Sequence, residues 1–411
     1  MSDKNLTEIT KGIIGIEEFV KNNDDTIDKI RSKTFLVRVD FNVPIIDGII
    51  VEDLRMRAIL PTVNLLKNSG AKVVLISHIE TKDGSGMEIV AKHFNDSLDL
   101  NVRYISEVVG ENVKKTIDSM VDGEIILLQN LRVNEGEKSN DEVFSKELAS
   151  YADYYVNDAF AVSHRKHASV IGVPRFLSHF AGIQLMKEIT SLSEAIDPPH
   201  PFVFILGGAK FDTKLPLIKK YLDKADSVVL GGALVNDVYK ARGFNVGRSL
   251  VSDGSVDISD VVSNPKLIIG NDVVVHDFDD IKKVSAKKIG EVSDNDIIVD
   301  AGASLMDVIK PLITSAKFVL WNGPLGNYEN GFTDQTIALA KLLIESGVKG
   351  AIGGGDTVAA VKSLGLDELP ENTNGVSGAA KSHNNIFVST GGGAMIDFLV
   401  NETLPGIEAL R

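Results

Sequence analysis

FVFILGGAK (202–210) decides the fold class: five apolar residues run on without alternation, stop on Gly207 and Gly208, and give way to a helical pattern. A strand covered on both faces reads as a continuous apolar run, and such strands belong to parallel sheets flanked by helices. The same pattern recurs in SVVLGGAL (227–234), GAIGGGDT (350–357) and NIFVSTGGGA (385–394). Earlier in the chain TFLVRVDFN (34–42), KVVLISH (72–78), EIILLQNLR (124–132) and DYYVNDAF (153–160) are equally apolar, but they end in Arg, His, Asn and Asp. Ligands of open α/β sheets sit outside the carboxyl ends of the strands. The two kinds of ending therefore point to two anionic ligands, one gripped by side chains and one approached by bare backbone.

The 411 residues exceed what one hydrophobic core usually supports, so two domains are expected. A boundary element is present, since Leu185, Ile189, Leu192 and Ile196 share one helical face and DPPHP (197–201) stops that helix. Hydrophobic content of 44% with 24% charged residues fits a globular chain. Lys+Arg 43 against Asp+Glu 57 gives −14, which argues against a nucleic-acid partner and makes any anion site a local island of positive charge. With no cysteine, disulfides, thiolate metal sites and a Cys nucleophile are excluded. MSDKNLTEITKG lacks the apolar core of a signal peptide, and no apolar run approaches the roughly 18 residues of a membrane helix. The expected location is cytoplasmic, with no membrane partner. The polar stretch 251–296 reads as surface strands and loops.

Glycine at a strand-to-helix turn often only makes the turn. Several such turns in one half of the chain also concentrate helix N-termini, whose unpaired N–H groups attract anions. Neither GxxxxGK[ST] nor a GxGxxG after the first strand of either half occurs, so a bound nucleotide would use another cradle. Lys210 and Lys214 lie one helical turn apart near a helix start, where cations are disfavoured unless a polyphosphate binds. Asp356 follows Gly353, Gly354 and Gly355, and is either a Mg²⁺ ligand beside phosphates or an N-cap of the following helix. In the first half Arg38, Asp40 and Asn42 alternate with Val39, Phe41 and Val43 and would share one strand face. They fit either a phosphorylated hydroxy acid or, for Arg38, an internal ion pair with an aspartate. HRKH (164–167) is either a solvated charge run or a further ligand contact.

RVDFNVP, the SH pair at 77–78, LLQNLR, NDAFAVSHRKHAS, GGAKFDTK, WNGPLGNYE, GGGDT and STGGGA, in this order, resemble phosphoglycerate kinases from about residue 34 to the C-terminus. The resemblance implies an α/β fold with two Rossmann-like parallel-sheet domains, joined by a helix hinge, with a cleft between them. It implies a 3-phosphoglycerate domain over 1–185, with the tail from about 400 to 411 packing back on it, and a nucleotide domain over 186–399. The implied reaction moves phosphate between 1,3-bisphosphoglycerate and Mg-ADP, giving 3-phosphoglycerate and Mg-ATP, by direct in-line transfer after the hinge closes. Matched motif by motif, Arg38, Asp40, Asn42, Arg55, His78, Arg132 and Arg165 would bind the glycerate, with Arg55 also stabilising the phosphoryl group in flight. Lys210 would meet that group and Lys214 the nucleotide phosphates, while Gly302, Glu329, Gly354, Gly355, Asp356 and Thr357 would bind nucleotide, Asp356 holding Mg²⁺. Gly391, Gly392 and Gly393 would form the helix start that receives the migrating group.

The chain departs from the family's SHLGRP, reading SHIETK, so that Thr81 replaces an arginine and Lys82 is left as a possible substitute charge without a bidentate fork. HRKH has Lys166 where the family commonly has alanine, and DAGA lacks the usual proline. The helix expected near Arg55 meets Pro61, which interrupts its apolar pattern. Two other classes share parts of the pattern. A nicotinamide-dependent dehydrogenase has the alternating α/β order but needs a dinucleotide fingerprint, and a two-lobed small-anion binding protein would need no catalysis.

Overall fold

The computed structural model describes residues 3–21, 27–81, 84–253, 257–364 and 385–411. They form two compact units, Asp3–Thr190 with Asn401–Arg411, and Ser191–Val400. The chain passes from one to the other inside the helix Ile183–Ser193. Leu185, Ile189 and Leu192 of that helix are fully buried, as the 4, 3 spacing requires; Ile196, also buried, lies past its end.

The first unit is a six-stranded parallel sheet in the spatial order Val102–Tyr104, Ile125–Leu127, Lys72–Ile76, Thr34–Arg38, Tyr154–Asn157, Ser178–Ala181. Crossovers leave the strand Thr34–Arg38 toward one edge and later strands fill the other, so the switch point lies between Arg38 and Asn157, which are register partners. Burial explains the composition: TFLVR is buried throughout, on one face among Val63, Leu66, Val73 and Phe94. The strand ends at Arg38, although the alternation of 38–43 suggested that it runs on to Val43. Val39 N–H still donates to the Ile76 carbonyl at 3.1 Å, and the chain then leaves the ladder as Phe41 N–H turns to Ser77 Oγ at 2.8 Å and Asn42 N–H to Asp40 Oδ1 at 3.1 Å. Pro61 does not break a long helix but opens a second one. Leu54–Ala58 stops at Ile59, and Leu60–Asn68 begins with the proline in its first turn, where the missing N–H costs nothing. The C-terminal segment completes this unit, Gly406 N–H donating to the Ser163 carbonyl at 2.8 Å and Arg411 Nη2 to the Ile9 carbonyl at 3.0 Å.

The second unit is also a six-stranded parallel sheet, ordered Leu267–Ile268, Ser227–Leu230, Phe202–Leu206, Phe318–Asn322, Gly350–Gly353, Ile386–Val388. Numbered along the chain this is the doubly wound order 3-2-1-4-5-6, whose switch point falls between Leu206 and Asn322. Trp321, Leu325, Leu305 and Leu339 fill the space between sheet and helices on one face. The stretch read as surface strands holds a three-stranded antiparallel sheet, Asp280–Lys288, Asp272–Asp277 and Asp296–Ala301, with a small core of its own around Val273, Val275 and Val246. No described helix is long and apolar enough to cross a membrane.

Candidate active site

At the carboxyl edge of the first sheet, side chains from five segments converge. Arg38 is wholly buried: Nε donates to Ser169 Oγ at 2.8 Å, Nη1 to the Val39 carbonyl, and Nη2 lies 3.3 Å from His78 Nδ1. Ser169 Oγ in turn donates to the buried carboxylate of Glu137 at 2.7 Å, so the counter-charge of Arg38 reaches it through a hydroxyl. The aspartate pair envisaged for Arg38 belongs instead to Arg55, whose Nη1 is 3.1 Å from Asp40 Oδ2 and donates to the Asn42 carbonyl at 2.8 Å. The short helix Leu54–Ala58 presents it.

His78 ends the segment after Lys72–Ile76 and is 2% exposed. Arg165 Nη1 lies 3.4 Å from its Nε2, opposite Arg38. Burial, then the charges of Arg38, Arg132, Arg165 and His167, hold its pKa far below the ordinary imidazole value. Burial therefore favours neutral His78 first, and the positive charge around it adds to that preference. Of HRKH, Lys166 is exposed while His167 is half-buried, its Nδ1 3.8 Å from Glu137 Oε1. Arg132 Nη1 and Arg165 Nη1 share Glu80 Oε1, at 2.8 and 3.8 Å. Thr81 bonds to the Ser85 carbonyl, and Lys82 lies outside the described residues.

In the second unit the glycines divide by physical role. Some make room for neighbouring backbone: a Cβ on Gly207 would stand 2.0 Å from the Pro324 carbonyl, and one on Gly232 2.6 Å from Gly208 N. Gly302, the N-cap of Ala303–Ser315, is filled in the same way by Asp272, 2.2 Å from its Cβ position. Gly355 and Gly393 are different: among the described residues nothing lies within 4 Å of theirs. They stand in the first turns of the helices Gly355–Lys362 and Gly392–Asn401, whose starts meet where a Cβ on Gly392 would be 3.2 Å from Gly354 Cα. Gly354, at φ 101°, turns the strand into its helix in a conformation that favours glycine. Gly391 is buried just ahead of the second helix. Two adjacent helix starts with open space before them form a site suited to phosphate.

Asp356 is not the N-cap, since Gly354 holds that position and Asp356 lies inside the first turn. Burial and then the Glu329 carboxylate push its pKa up. Among the described residues no cluster of three or more metal-ligating side chains occurs. A cation held by one carboxylate and completed by phosphate oxygens fits that donor set. Thr357, one residue on, is fully buried, and its Oγ1 has no hydrogen-bond partner among the described residues. Lys214 Nζ donates to the Gly207 carbonyl at 2.7 Å, and burial lowers its pKa to about 8. Lys210 is the exposed N-cap of Phe211–Lys224, held at φ 62°.

Sequence reasoning missed Glu137, Ser169 and Glu80. Nothing in GEKSNDE marks Glu137 as buried, whereas the comparison that singled out Thr81 also shows Glu80 where SHLGRP has glycine.

Two parallel α/β sheets, one with arginines and one with open helix starts at its carboxyl edge, define a two-domain protein for anionic ligands. The sequence model of the family "Phosphoglycerate kinase" matches residues 24–402. Similar proteins include phosphoglycerate kinases of Dictyoglomus turgidum, 36% identical over 93% of this chain and 96% of the relative, and of Clostridium novyi, 38% identical over 95% and 99%. The structure of the Pyrococcus horikoshii phosphoglycerate kinase superposes with a TM-score of 0.81 at 28% identity, covering 97% of this chain and 98% of that one. That from Coxiella burnetii gives 0.74 at 30% identity, covering 93% and 97%. The chain belongs to the phosphoglycerate kinase family. Its reaction is the reversible glycolytic transfer of a phosphoryl group between 1,3-bisphosphoglycerate and ADP, making it a phosphotransferase with a carboxyl group as acceptor.

Proposed function

We propose that the first unit holds 3-phosphoglycerate and the second Mg-nucleotide, with the residues of each site acting as the family resemblance implies, save that the wholly buried Arg38 acts through His78 and Gly302 through the turn it shapes. The observation that carries this reading is the convergence of Arg38 and Arg165 on the two nitrogens of a buried His78, at 3.3 and 3.4 Å, on the carboxyl edge of the first sheet. Arg132, Arg165, Asp40, Asn42 and neutral His78 bind and orient the glycerate, Arg38 props His78 from within, and Arg55 meets the group in transit. The nucleotide phosphates sit before Gly354, Gly355, Thr357 and the Gly391–Gly393 turn, with Lys210 and Lys214 alongside, Glu329 at the ribose and Gly302 shaping the nearby turn. Mg²⁺ would be held by Asp356 and would supply charge neutralisation on the phosphates.

The attacking group is a carboxylate, or in reverse a phosphate oxygen of ADP, and both are ionised near pH 7. No general base is required, which agrees with a His78 that cannot take up a proton. The demand is for alignment and for fixed positive charge around a loose transition state. Transfer requires the two ligands to be brought together by motion about the connecting helix. Function in the cytoplasm belongs to the same reading, supported by the glycolytic family. A coupled assay with ATP, Mg²⁺ and 3-phosphoglycerate, run beside Lys210→Ala and Asp356→Ala, tests it. Turnover lost in both variants supports the sites; full turnover in both removes them.

A further inference from the structure

Glu80 sits on the basic island of the first unit and has no part in the reaction described above. Its backbone is fixed, the N–H donating to Asn42 Oδ1 at 2.9 Å, but its side chain is 55% exposed. Arg132 is the opposite. Its side chain is 15% exposed, and Nε is buried with no hydrogen-bond partner among the described residues. The guanidinium is thus held in place and incompletely satisfied, while the carboxylate facing it is anchored only at its root. A cavity of about 690 Å³, lined among others by Glu80, Thr81, Arg132 and Lys138, opens beside the pair and gives the carboxylate somewhere to go.

We propose that Glu80 is a displaceable counter-ion, occupying Arg132 and Arg165 in the free protein and expelled by the phosphate of the incoming three-carbon acid, so that it sets the affinity for that substrate. The inference rests on the assignment of Arg132 and Arg165 to the glycerate site. One Glu80 oxygen serves both arginines, at 2.8 and 3.8 Å, so the second contact is long. A phosphomonoester brings three acceptor oxygens and about two charges, which match two guanidinium forks better than a single carboxylate does. Binding must first break the Glu80 contact. The residue therefore weakens substrate binding and keeps smaller carboxylic acids from settling on the arginines.

The test compares Glu80→Gln, which keeps shape and an acceptor oxygen but drops the charge, with Glu80→Ala and Arg132→Ala. Glu80→Gln and Glu80→Ala are expected to lower the KM for 3-phosphoglycerate on the order of fivefold, the scale of a half-exposed ion pair, and to leave the KM for ATP unchanged. Inorganic sulfate should compete with 3-phosphoglycerate more tightly in both. Arg132→Ala should raise the KM for 3-phosphoglycerate about tenfold or more. If Arg132→Ala does so while the Glu80 variants show an unchanged or raised KM, the displacement idea is overturned and the site assignment stands. If Arg132→Ala leaves that KM unchanged, the assignment fails and the inference falls with it. Calorimetric titration of 3-phosphoglycerate into the Glu80 variants reads the same affinity change without turnover.

Discussion

Arg55 Nη1 lies 3.1 Å from Asp40 Oδ2 and also donates to the Asn42 carbonyl. The arginine is thereby aimed by the segment that follows the first strand rather than by its own helix, which is only five residues long. A cation positioned in this way contributes where charge develops, more than where substrate rests. Arg55→Ala is expected to lower kcat by about a hundredfold or more while changing the KM for ATP by less than about threefold. Steady-state kinetics with ATP varied at saturating 3-phosphoglycerate checks this, and equal losses in kcat and affinity would make Arg55 a binding residue only.

Arg38, Ser169 and Glu137 form a buried chain in which a full positive and a full negative charge are joined by one hydroxyl. Removing one end leaves the other charge undercompensated in the interior, which costs up to about 3–5 kcal/mol. Arg38→Ala should therefore shift the denaturant midpoint strongly downward, and Arg38→Met combined with Glu137→Leu should recover part of that loss. A double variant no more stable than Arg38→Ala would show that the two charges do not compensate each other.

Much of the fold was legible because the chemistry was local. FVFIL is apolar on both faces and TFLVR is buried on both, as strands of a helix-covered parallel sheet are. The end of the first strand was less legible, since the backbone of Phe41 and Asn42 turns to hydrogen bonds with Ser77 and Asp40 that no spacing shows. Pro61 was ambiguous for a similar reason: the same residue breaks a helix or starts one, according to where the chain turns. In the site, residue types announced the arginines and the glycines. They did not separate Gly207 and Gly302, which yield to neighbouring atoms, from Gly355 and Gly393, which face open space. That distinction depends on contacts far apart in sequence, as does the burial of Glu137.

Lys214 supplies a pH prediction. Burial places its folded pKa near 8 against 10.5 in the unfolded chain. Between these values the unfolded chain binds more protons, so the contribution of this group to stability rises with pH across that window and is least favourable below pH 8. Nucleotide phosphates arriving beside Lys214 would favour the charged form and draw a proton from solution. Calorimetry of ADP binding near pH 8.5, in two buffers of different ionisation enthalpy, should show net proton uptake of a fraction of one proton per nucleotide, and affinity should fall as pH rises further. Lys214→Arg, charged throughout this range, should abolish the uptake. Uptake of the same size in that variant would assign it elsewhere.

Thr357 separates a structural hydroxyl from one kept for a ligand. Its Oγ1 is buried in the first turn of Gly355–Lys362 and finds no partner among the described residues, so within the protein it carries a desolvation penalty and no compensating bond. Thr357→Val preserves volume and branching while deleting that group. The thermal midpoint should hold steady or rise, whereas the KM for ATP should increase about tenfold, the range of a hydrogen bond to a charged acceptor. Thr357→Ser, which retains the hydroxyl, should keep nucleotide affinity near the parent value and lose a little stability through the missing methyl. The opposite pattern, in which Thr357→Val melts earlier and binds nucleotide unchanged, would mean that the hydroxyl stabilises the fold and has no phosphate to meet.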